Sequence, residues 1–199
     1  MKTSLSSTLK RIFLGTSLLF PLLGAGQALS FPSLLSNQPI NSENFVVVAS
    51  QLAANRYKMN VLEQIPDKRL CWEEYGEAPT QINPLLLTFD FTADCRRYNS
   101  NGYSVQGLGQ DSQYYRLRVR TRQQSDASGA SDEVLVLEAW QPFNKNVPAV
   151  EVGRAKLTEN TTHVKIELNS DWSLMQRVVD GESVNHIYFS QVSDEAQSY

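Results

Sequence analysis

The sequence predicts an all-β protein, an antiparallel β-sandwich or barrel of about eight strands. Apolar and polar residues alternate with a period of two in several short segments, which is typical of strands with one buried face. The dipeptides Asn101-Gly102 and Asp180-Gly181 favour hairpin turns, because a type I′ turn needs positive φ at both central positions. No long window has the spacing of a buried helix face. With 199 residues, 41% of them hydrophobic, the chain is long enough for one domain with a substantial core.

Residues 1–28 predict a cleaved secretory signal peptide. Basic residues precede an apolar stretch, and small residues then lead to a cleavage site after Ala28. A retained membrane anchor is the alternative, but the apolar run is short for a bilayer span and contains Pro21. The leader has no acidic residue, so its removal makes the chain more acidic than its net charge of −3 indicates. No nucleic-acid partner is therefore expected, because such binding needs a basic surface.

The remaining chain is expected to contain one β domain over residues 45–192. Residues 29–44 include prolines, serines and asparagines and are expected to form a flexible N-terminal arm, and the polar residues 193–199 are expected to form a frayed tail. No segment after the leader is apolar enough to span a membrane. These features predict an exported protein, located in the periplasm or outside the cell.

Strands are expected at residues 45–49, 55–61, 70–72, 85–91, 115–122, 133–138, 162–168 and 187–189. The alternating residues expected to face the core are Tyr57, Met59 and Val61, then Leu85, Leu87, Phe89 and Phe91, then Tyr115, Leu117, Val119 and Thr121, and finally Thr162, Val164, Ile166 and Leu168. Residues 123–132 are small and polar, typical of a long hairpin loop or a short linker. Trp172–Val179 is the one segment that could hold a helical turn.

Two parts of the domain resemble each other. The residues after Asn101-Gly102 resemble those after Asp180-Gly181, and the same offset aligns the strand at 85–91 with the one at 162–168. The hypothesis is a duplicated four-strand unit, whose halves would superpose across a pseudo-twofold axis. Chance likeness among hairpins is the alternative, because alternating residues and turn dipeptides recur in unrelated strands.

Cys71 and Cys95 are the two cysteines of the chain, and both follow the leader. An even number of thiols in an exported protein favours a disulfide, and two buried free thiols are the alternative. A zinc site is not expected, because the chain has no CxxC pair.

Arg116, Arg118, Arg120 and Arg122 occupy one parity of a strand and are expected to form a row on its outer face. Carboxylates on adjacent strands could neutralise this row. Alternatively, the row could bind an extended anionic partner, such as an acidic envelope polysaccharide, because guanidinium forks suit carboxylates. Another envelope protein is a further candidate partner.

Catalytic and metal sites have little support in the sequence. Paired carboxylates of a glycoside hydrolase could come from Glu63, Glu73, Glu74 and Asp90. A turn with Asp90, Asp94, Asn99 and Asn101 has too few ligands for calcium. The serines lack a GxSxG or SxxK context, His163 is expected to be solvated, and His186 is expected to be a structural residue. Sugar-stacking platforms could come from Trp72, Trp140 and Trp172, although the core is their more common place. No catalytic residue, metal or cofactor is therefore expected.

An ordered set of segments resembles a known family. The set runs LEQI at 62–65, LCW at 70–72, NPLLLTFDF at 83–91, Cys95, NGYS at 101–104, DW at 171–172 and HIY at 186–188. It is similar to the exported domain-of-unknown-function family of cyanobacteria, over roughly residues 45–190. The chain departs from the family pattern at Asn99, where the family has Asp, and at Asn185, where it has Gly. The resemblance implies export and a shared fold, and it implies no activity.

Together these observations predict an exported non-catalytic β domain with a binding or structural role in the periplasm or cell envelope. The alternative is a secreted carbohydrate-active hydrolase that uses paired carboxylates.

Overall fold

The computed structural model describes residues 35–125, 129, 131–158 and 161–192. The described residues form fourteen β-strands and three short 3-10 helices, which confirms the all-β prediction with more strands than expected. No helix among them is long and apolar enough to cross a membrane. The signal peptide expected over 1–28 and the tail expected over 193–199 lie outside the described residues.

The strands are β1 (Leu35–Pro39), β2 (Phe45–Ala53), β3 (Arg56–Gln64), β4 (Glu73–Tyr75), β5 (Gln81–Asn83), β6 (Cys95–Tyr98), β7 (Tyr103–Gln106), β8 (Arg116–Ser125), β9 (Ser131–Trp140), β10 (Val150–Lys156), β11 (His163–Lys165), β12 (Glu167–Leu168), β13 (Trp172–Val179) and β14 (Glu182–Gln191). They form sheet A, in the order β1-β13-β14-β7, sheet B, in the order β4-β5-β11-β2-β3-β6, and sheet C, in the order β12-β10-β9-β8. Strand pairs are antiparallel except β14 with β7, which is parallel.

Two tight hairpins have the turn chemistry that their geometry needs. Asp180 and Gly181 have φ of 52° and 84° between β13 and β14, which confirms the hairpin expected there. Asn55, with φ of 56°, turns the chain between β2 and β3. Trp172–Val179 is a strand and not a helical turn, because its backbone pairs with β1 on one side and β14 on the other.

One hydrophobic core contains residues from all three sheets. Its buried members are Val47, Ala49, Met59, Val61, Tyr98, Val105, Tyr115, Leu135, Leu137, Ala139, Val152, Ala155, Val164, Ile166, Trp172, Ile187 and Phe189. Tyr57, Leu117, Val119 and Leu168 pack against it. The alternation in β3, β8 and the β11–β12 segment therefore indicates correctly which side chains face inward.

A second, smaller core covers the opposite face of sheet B. Val46, Val48 and Leu62 project from β2 and β3, and they pack with Ile82, Leu86 and the two cysteines. Cys71 and Cys95 form a disulfide with a Cα–Cα distance of 5.8 Å. The centre of sheet B is thus buried on both faces. The chain between β3 and β6, here called the covering segment, carries Cys71, Ile82 and Leu86, and the disulfide fastens it to the start of β6.

The strands expected at 70–72 and 85–91 do not form. Leu85–Leu87 is a 3-10 helix in which Leu86 is buried and Leu87 is 59% exposed. The Leu86 amide donates a hydrogen bond to the Cys71 carbonyl at 3.0 Å. This part of the covering segment therefore bonds to another part of the same segment and not to a strand. One leucine enters the small core, whereas a strand would have presented every second residue to it.

The duplicated four-strand unit is wrong as a description of this fold. Asn101-Gly102 does not close a hairpin, because it joins β6 of sheet B to β7 of sheet A. The helical turn at Leu85–Leu87 also has no counterpart in the aligned strands β11 and β12. Turn dipeptides and alternation are local signals, and they do not decide which strand becomes a partner.

Part of the expected N-terminal arm is ordered. Leu35–Pro39 forms β1, which pairs with β13, and Ser42–Asn44 forms a 3-10 helix whose start is capped by Asn41. Pairing with an open sheet edge satisfies backbone groups that a free arm would leave to water. Residues 29–34 lie outside the described residues.

Candidate binding surface on sheet C

The outer face of sheet C carries the arginine row. Leu117 and Val119 point to the core, so the arginines of β8 project to the other side. Within the register, the cross-strand pairs on this face are Arg116 with Trp140, Arg118 with Glu138, Arg120 with Val136 and Arg122 with Val134. Side chains at paired positions share a face, so the row lies beside one carboxylate and one large aromatic ring.

Glu138 is the buried centre of this face, with a side chain 1% exposed. Its Oε2 accepts hydrogen bonds from Nε and Nη2 of Arg118, both at 2.9 Å. Its Oε1 accepts from Nη2 of Arg122. One carboxylate is therefore shared by two guanidinium groups, which leaves a positive excess at the surface.

Arg118 is held from two directions. Its guanidinium carbon lies 4.2 Å from the ring centroid of Trp140, within the range of a cation–π contact. Together with the bonds to Glu138, this contact fixes the side chain in one orientation. Trp140 therefore packs against Arg118, and the ring face that Arg118 covers is not open for stacking with a sugar.

Arg116 and Arg120 are not neutralised by a carboxylate within the described residues. Arg116 donates from Nη1 to the backbone carbonyls of Gln113 and Tyr115, each at 2.8 Å. Arg120 is exposed and makes no ion pair or hydrogen bond with another described residue. The row thus divides into two arginines paired with Glu138 and two that have no acidic partner in the part of the chain that the structure describes.

The basic surface continues onto β10. Val136 lies between Arg120 and Arg154 in the register, and Val134 lies between Arg122 and Lys156. Both valines face outward, yet they are only 3% and 5% exposed. Their cross-strand neighbours are long basic side chains, whose apolar stems can cover a valine while the charged heads stay in water.

Carboxylates on this face are fewer than the basic groups. Arg154 pairs with Glu151 at 2.7 Å, and Lys156 pairs with Asp132 at 3.7 Å. Glu167 lies opposite Arg154 on β12 but contacts Lys165 at 3.6 Å. The outer face of sheet C is therefore basic, although the whole chain has a net charge of −3.

A cleft of about 550 Å³ lies beside β8, the edge strand of sheet C. It is lined by the inward-facing Val119, Thr121 and Gln123 and by Arg56 and Tyr57 at the start of β3, so it lies on the inner side of β8 and apart from the outward-facing arginine row. Glu133 also lines the cleft, and the pKa of Tyr57 there is raised by burial and by the charge of Glu133.

The candidate hydrolase acids are each engaged by a different neighbour. Glu63 accepts from Arg96 at 2.9 Å and from the Tyr98 hydroxyl at 2.5 Å. The pKa of the Tyr98 hydroxyl is raised, first by burial and then by the hydrogen bond to Glu63 and the charge of that carboxylate. The remaining bonds are Glu73 with Asn83 at 3.0 Å, Glu74 with Lys165 at 3.0 Å, and Asp90 with Thr92 at 2.9 Å.

Both histidines bond to a serine. Nδ1 of His163 lies 2.9 Å from Oγ of Ser50, and Nε2 of His186 lies 2.5 Å from Oγ of Ser104. The pKa of each imidazole is lowered, first by burial and then by a nearby cation, which is Lys58 for His163 and Arg177 for His186. Among the described residues no carboxylate bonds to either ring, so neither pair has the third member of a catalytic triad. His163 is partly buried, whereas a solvated side chain was expected.

The turn considered above as a calcium site is closed by a hydrogen bond to one of its own side chains, Asn99. The Asn101 amide donates to Oδ1 of Asn99 at 3.1 Å. Over the described ranges, no three His, Cys, Asp or Glu side chains are grouped closely enough to hold a metal ion.

The exposed aromatic residues are different from the tryptophans considered in the sequence. Trp172 is in the main core and Trp72 packs against the small one. Tyr114 is 55% exposed and Phe143 is 96% exposed, and both lie next to the end of sheet C that begins at Arg116. One signal in the sequence could have identified Phe143, which lies in an irregular segment with too few apolar neighbours to bury it. Tyr114 ends the 3-10 helix Gly109–Tyr114 and is not part of β8, so strand alternation does not indicate its exposure.

Fold and surface together define a disulfide-bonded all-β domain with a basic sheet face. The chain belongs to the family described as proteins of unknown function (DUF3747), whose model matches residues 13–194. This match confirms the resemblance at the level of a family of unknown function, and the cyanobacterial origin stays a prediction. No curated protein and no solved structure matches the chain.

Proposed function

We propose that this protein is an exported, non-catalytic domain that binds an acidic polysaccharide of the cell envelope along the outer face of sheet C. The observation that carries the proposal is the arginine row, in which one buried glutamate holds two guanidinium groups while two others have no acidic partner among the described residues. The disulfide and the lack of a membrane-spanning helix among the described residues are compatible with export.

The geometry of the row fits an extended polymer. Residues of one parity are about 7 Å apart along a strand, so Arg116 to Arg122 spans about 20 Å. A polyuronate presents carboxylates repeatedly along its length, and guanidinium groups bind carboxylates through paired hydrogen bonds. A small anion would use one end of such a row, whereas a polymer would use all of it.

Glu138 supports binding without cancelling it. The side chains of Arg118 and Arg122 are 27% and 59% exposed, so both can reach a ligand from their bonded positions. Side chains that are already ordered lose less conformational entropy when a ligand binds. The glutamate therefore reduces the cost of organising the row, and the two guanidinium groups still exceed its single charge.

The hydrolase alternative has no specific support from the arrangement of its acids. Each candidate carboxylate has its own neighbour, and Glu63 is occupied by Arg96 and Tyr98. A retaining or inverting glycosidase needs two acids facing each other across the bound sugar.

The proposal is tested by retention of the purified mature protein on alginate, an acidic polysaccharide, and on neutral dextran. The test variant is Arg116→Ser/Arg120→Ser, which removes two charges and leaves both bonds to Glu138. Arg118 is avoided because its loss would leave Glu138 with one partner. The matched control is Lys68→Ser/Arg97→Ser, which removes two exposed positive charges elsewhere on the chain.

The expected result is salt-sensitive retention on alginate, with affinity on the order of tenfold lower for the test variant, from two lost charge contacts of about 0.5–1 kcal/mol each. The control variant should bind as the wild type does. Equal binding by all three proteins, or equal loss in both variants, would contradict the site. No retention of the wild type on alginate would reject the polysaccharide as partner.

A further inference from the structure

A small cleft lies beyond the end of the arginine row. The 3-10 helix Gly109–Tyr114 precedes β8, and the turns after Trp140 follow β9, so the cleft forms where the two strands meet these segments. Its volume is about 270 Å³. The residues that line it are Asp111, Tyr114, Gln141, Phe143 and Asn144.

Its aromatic rings are unusually open to solvent. Phe143 is the most exposed of the large hydrophobic side chains in the described residues, at 96%, and Tyr114 beside it is 55% exposed. The turn that carries Phe143 is closed by its own hydrogen bonds, from the Asn144 amide to the Gln141 carbonyl at 3.4 Å and from the Val147 amide to the Asn144 carbonyl at 3.3 Å. The ring is thus presented on a defined turn.

Gln141 supplies a second, independent observation. The residue is 8% exposed, and it lines the cleft. Within the described residues its side-chain amide makes no hydrogen bond, and the amide is not among the fully buried polar groups without a partner, so it reaches the solvent of the cleft. The group can donate two hydrogen bonds and accept others. A ligand in the cleft would provide the partner that the protein does not.

We infer that this cleft is a carbohydrate subsite in which a pyranose ring stacks on Phe143 and Tyr114 and bonds to the Gln141 amide. A sugar ring has an apolar C–H face that can pack on an aromatic surface, and its hydroxyls can both donate and accept. Asp111 and Asn144 at the rim offer further partners for hydroxyls. An apolar partner would cover the Gln141 amide without bonding to it.

The subsite deepens the proposed function, and its assignment to the same polymer rests on that function. Tyr114 lies two residues before Arg116, and Gln141 directly follows Trp140, the cross-strand partner of Arg116. A single polysaccharide chain can therefore place one ring in the cleft and its following carboxylates along the arginines. Stacking would select for sugar, whereas the arginines alone would select for negative charge.

Ionic strength separates the contribution of stacking in the cleft from that of the arginine charges, because salt screens the charges. Alginate oligosaccharides and neutral dextran oligosaccharides are titrated into the protein at low and high ionic strength, and amide shifts of residues 109–114 and 141–147 are followed by NMR. The variants are Phe143→Ala and Tyr114→Ala. The matched controls are Leu87→Ala and Tyr75→Ala, which truncate exposed apolar side chains at 59% and 51% exposure away from the cleft. All four should unfold at the wild-type temperature, because their rings or methyl groups are exposed.

The expected result is that Phe143→Ala weakens alginate binding about tenfold at low salt and abolishes the binding that remains at high salt, whereas the controls change neither. The Gln141 side-chain amide should shift on titration in the wild type. If Phe143→Ala binds alginate normally while Arg116→Ser/Arg120→Ser does not, the subsite is rejected and the proposed function stands.

Three other outcomes test the subsite separately from the arginine row. Binding of dextran that depends on Phe143, with no effect of the arginine variant on alginate, would keep the subsite and reject the arginine row. No shift at residues 109–114 or 141–147 with either sugar would overturn the subsite directly. Saturable binding of a single-stranded oligonucleotide in its place, lost in Phe143→Ala, would also overturn it.

Discussion

Sheets B and C each bury two outward-facing valines on a central strand, and they do so in opposite ways. Val46 and Val48 on β2 are 1% and 2% exposed, and Val134 and Val136 on β9 are 5% and 3% exposed. The first pair is covered by a segment of the chain that the disulfide holds in place. The second pair has arginine and lysine side chains as its cross-strand neighbours.

The difference shows how similar burial can accompany different surfaces. A covering segment excludes water and closes the face, so the outer side of sheet B contributes to stability. Basic side chains exclude water from the valines but leave their charged heads outside, so the outer side of sheet C stays available to a ligand. The two faces can be tested separately, because changes on one should leave the property of the other intact.

The largest effect is expected from removing the disulfide. Cys71→Ala/Cys95→Ala opens a crosslink between residues separated by 24 positions, and loop-closure entropy makes this cost about 3 kcal/mol of unfolding free energy. Urea denaturation measures the loss, and alginate binding of the folded variant should be unchanged. A variant as stable as the wild type would contradict the stabilising role of the covered face of sheet B. A variant that is folded but does not bind would contradict the independence of the two faces.

A smaller effect on stability is expected from Glu138→Gln. This change keeps the shape of the side chain but removes the charge shared by Arg118 and Arg122. The cost should be about 2 kcal/mol, between the values for buried and exposed ion pairs, because the glutamate is buried and its partners are partly exposed.

The same variant should bind alginate more tightly at low salt, since the face loses a negative charge and Arg118 remains stacked on Trp140. Denaturation and alginate titration are measured on the same preparation. Weaker binding would show that the order imposed by Glu138 matters more than its charge.

The smallest effect is expected from lowering the pH from 7 to 5. The folded-state pKa of His163 and of His186 is below its usual value, mainly because burial disfavours the charged ring. Their contribution to stability is therefore present above the unfolded-state pKa and is lost as the pH falls through the folded-state value.

Arginine charges do not change over this range, so binding to alginate should persist while stability decreases. Urea midpoints across the range, compared between wild type and His163→Gln/His186→Gln, provide the measurement. A wild-type slope no steeper than that of the variant would contradict the assignment.

Much of the arginine row could be predicted from the sequence, because alternation is a local property. Residues 115–122 alone indicate which side chains face the core, and Cys71 and Cys95 had no other cysteine to bond. Asp180-Gly181 likewise specifies its hairpin, since the needed φ angles depend on those two residues.

The partners of these elements were decided only by the tertiary structure. Glu138 meets Arg118 because β9 pairs with β8 in one register, and a shift of one residue would have placed Leu137 there. Residues 87–91 alternate as a true strand does, yet Leu85–Leu87 is a 3-10 helix in which one leucine enters the small core and the Leu86 amide bonds to Cys71.

The cleft of Tyr114, Gln141 and Phe143 likewise joins segments that are distant along the chain. The sequence by itself determined the all-β class, the inward parity of the main strands and the cysteine pair, because each depends on local pattern or on elimination. Which faces are closed by the chain and which stay open was decided by long-range packing, where apolar segments of the same pattern compete for the same sheet.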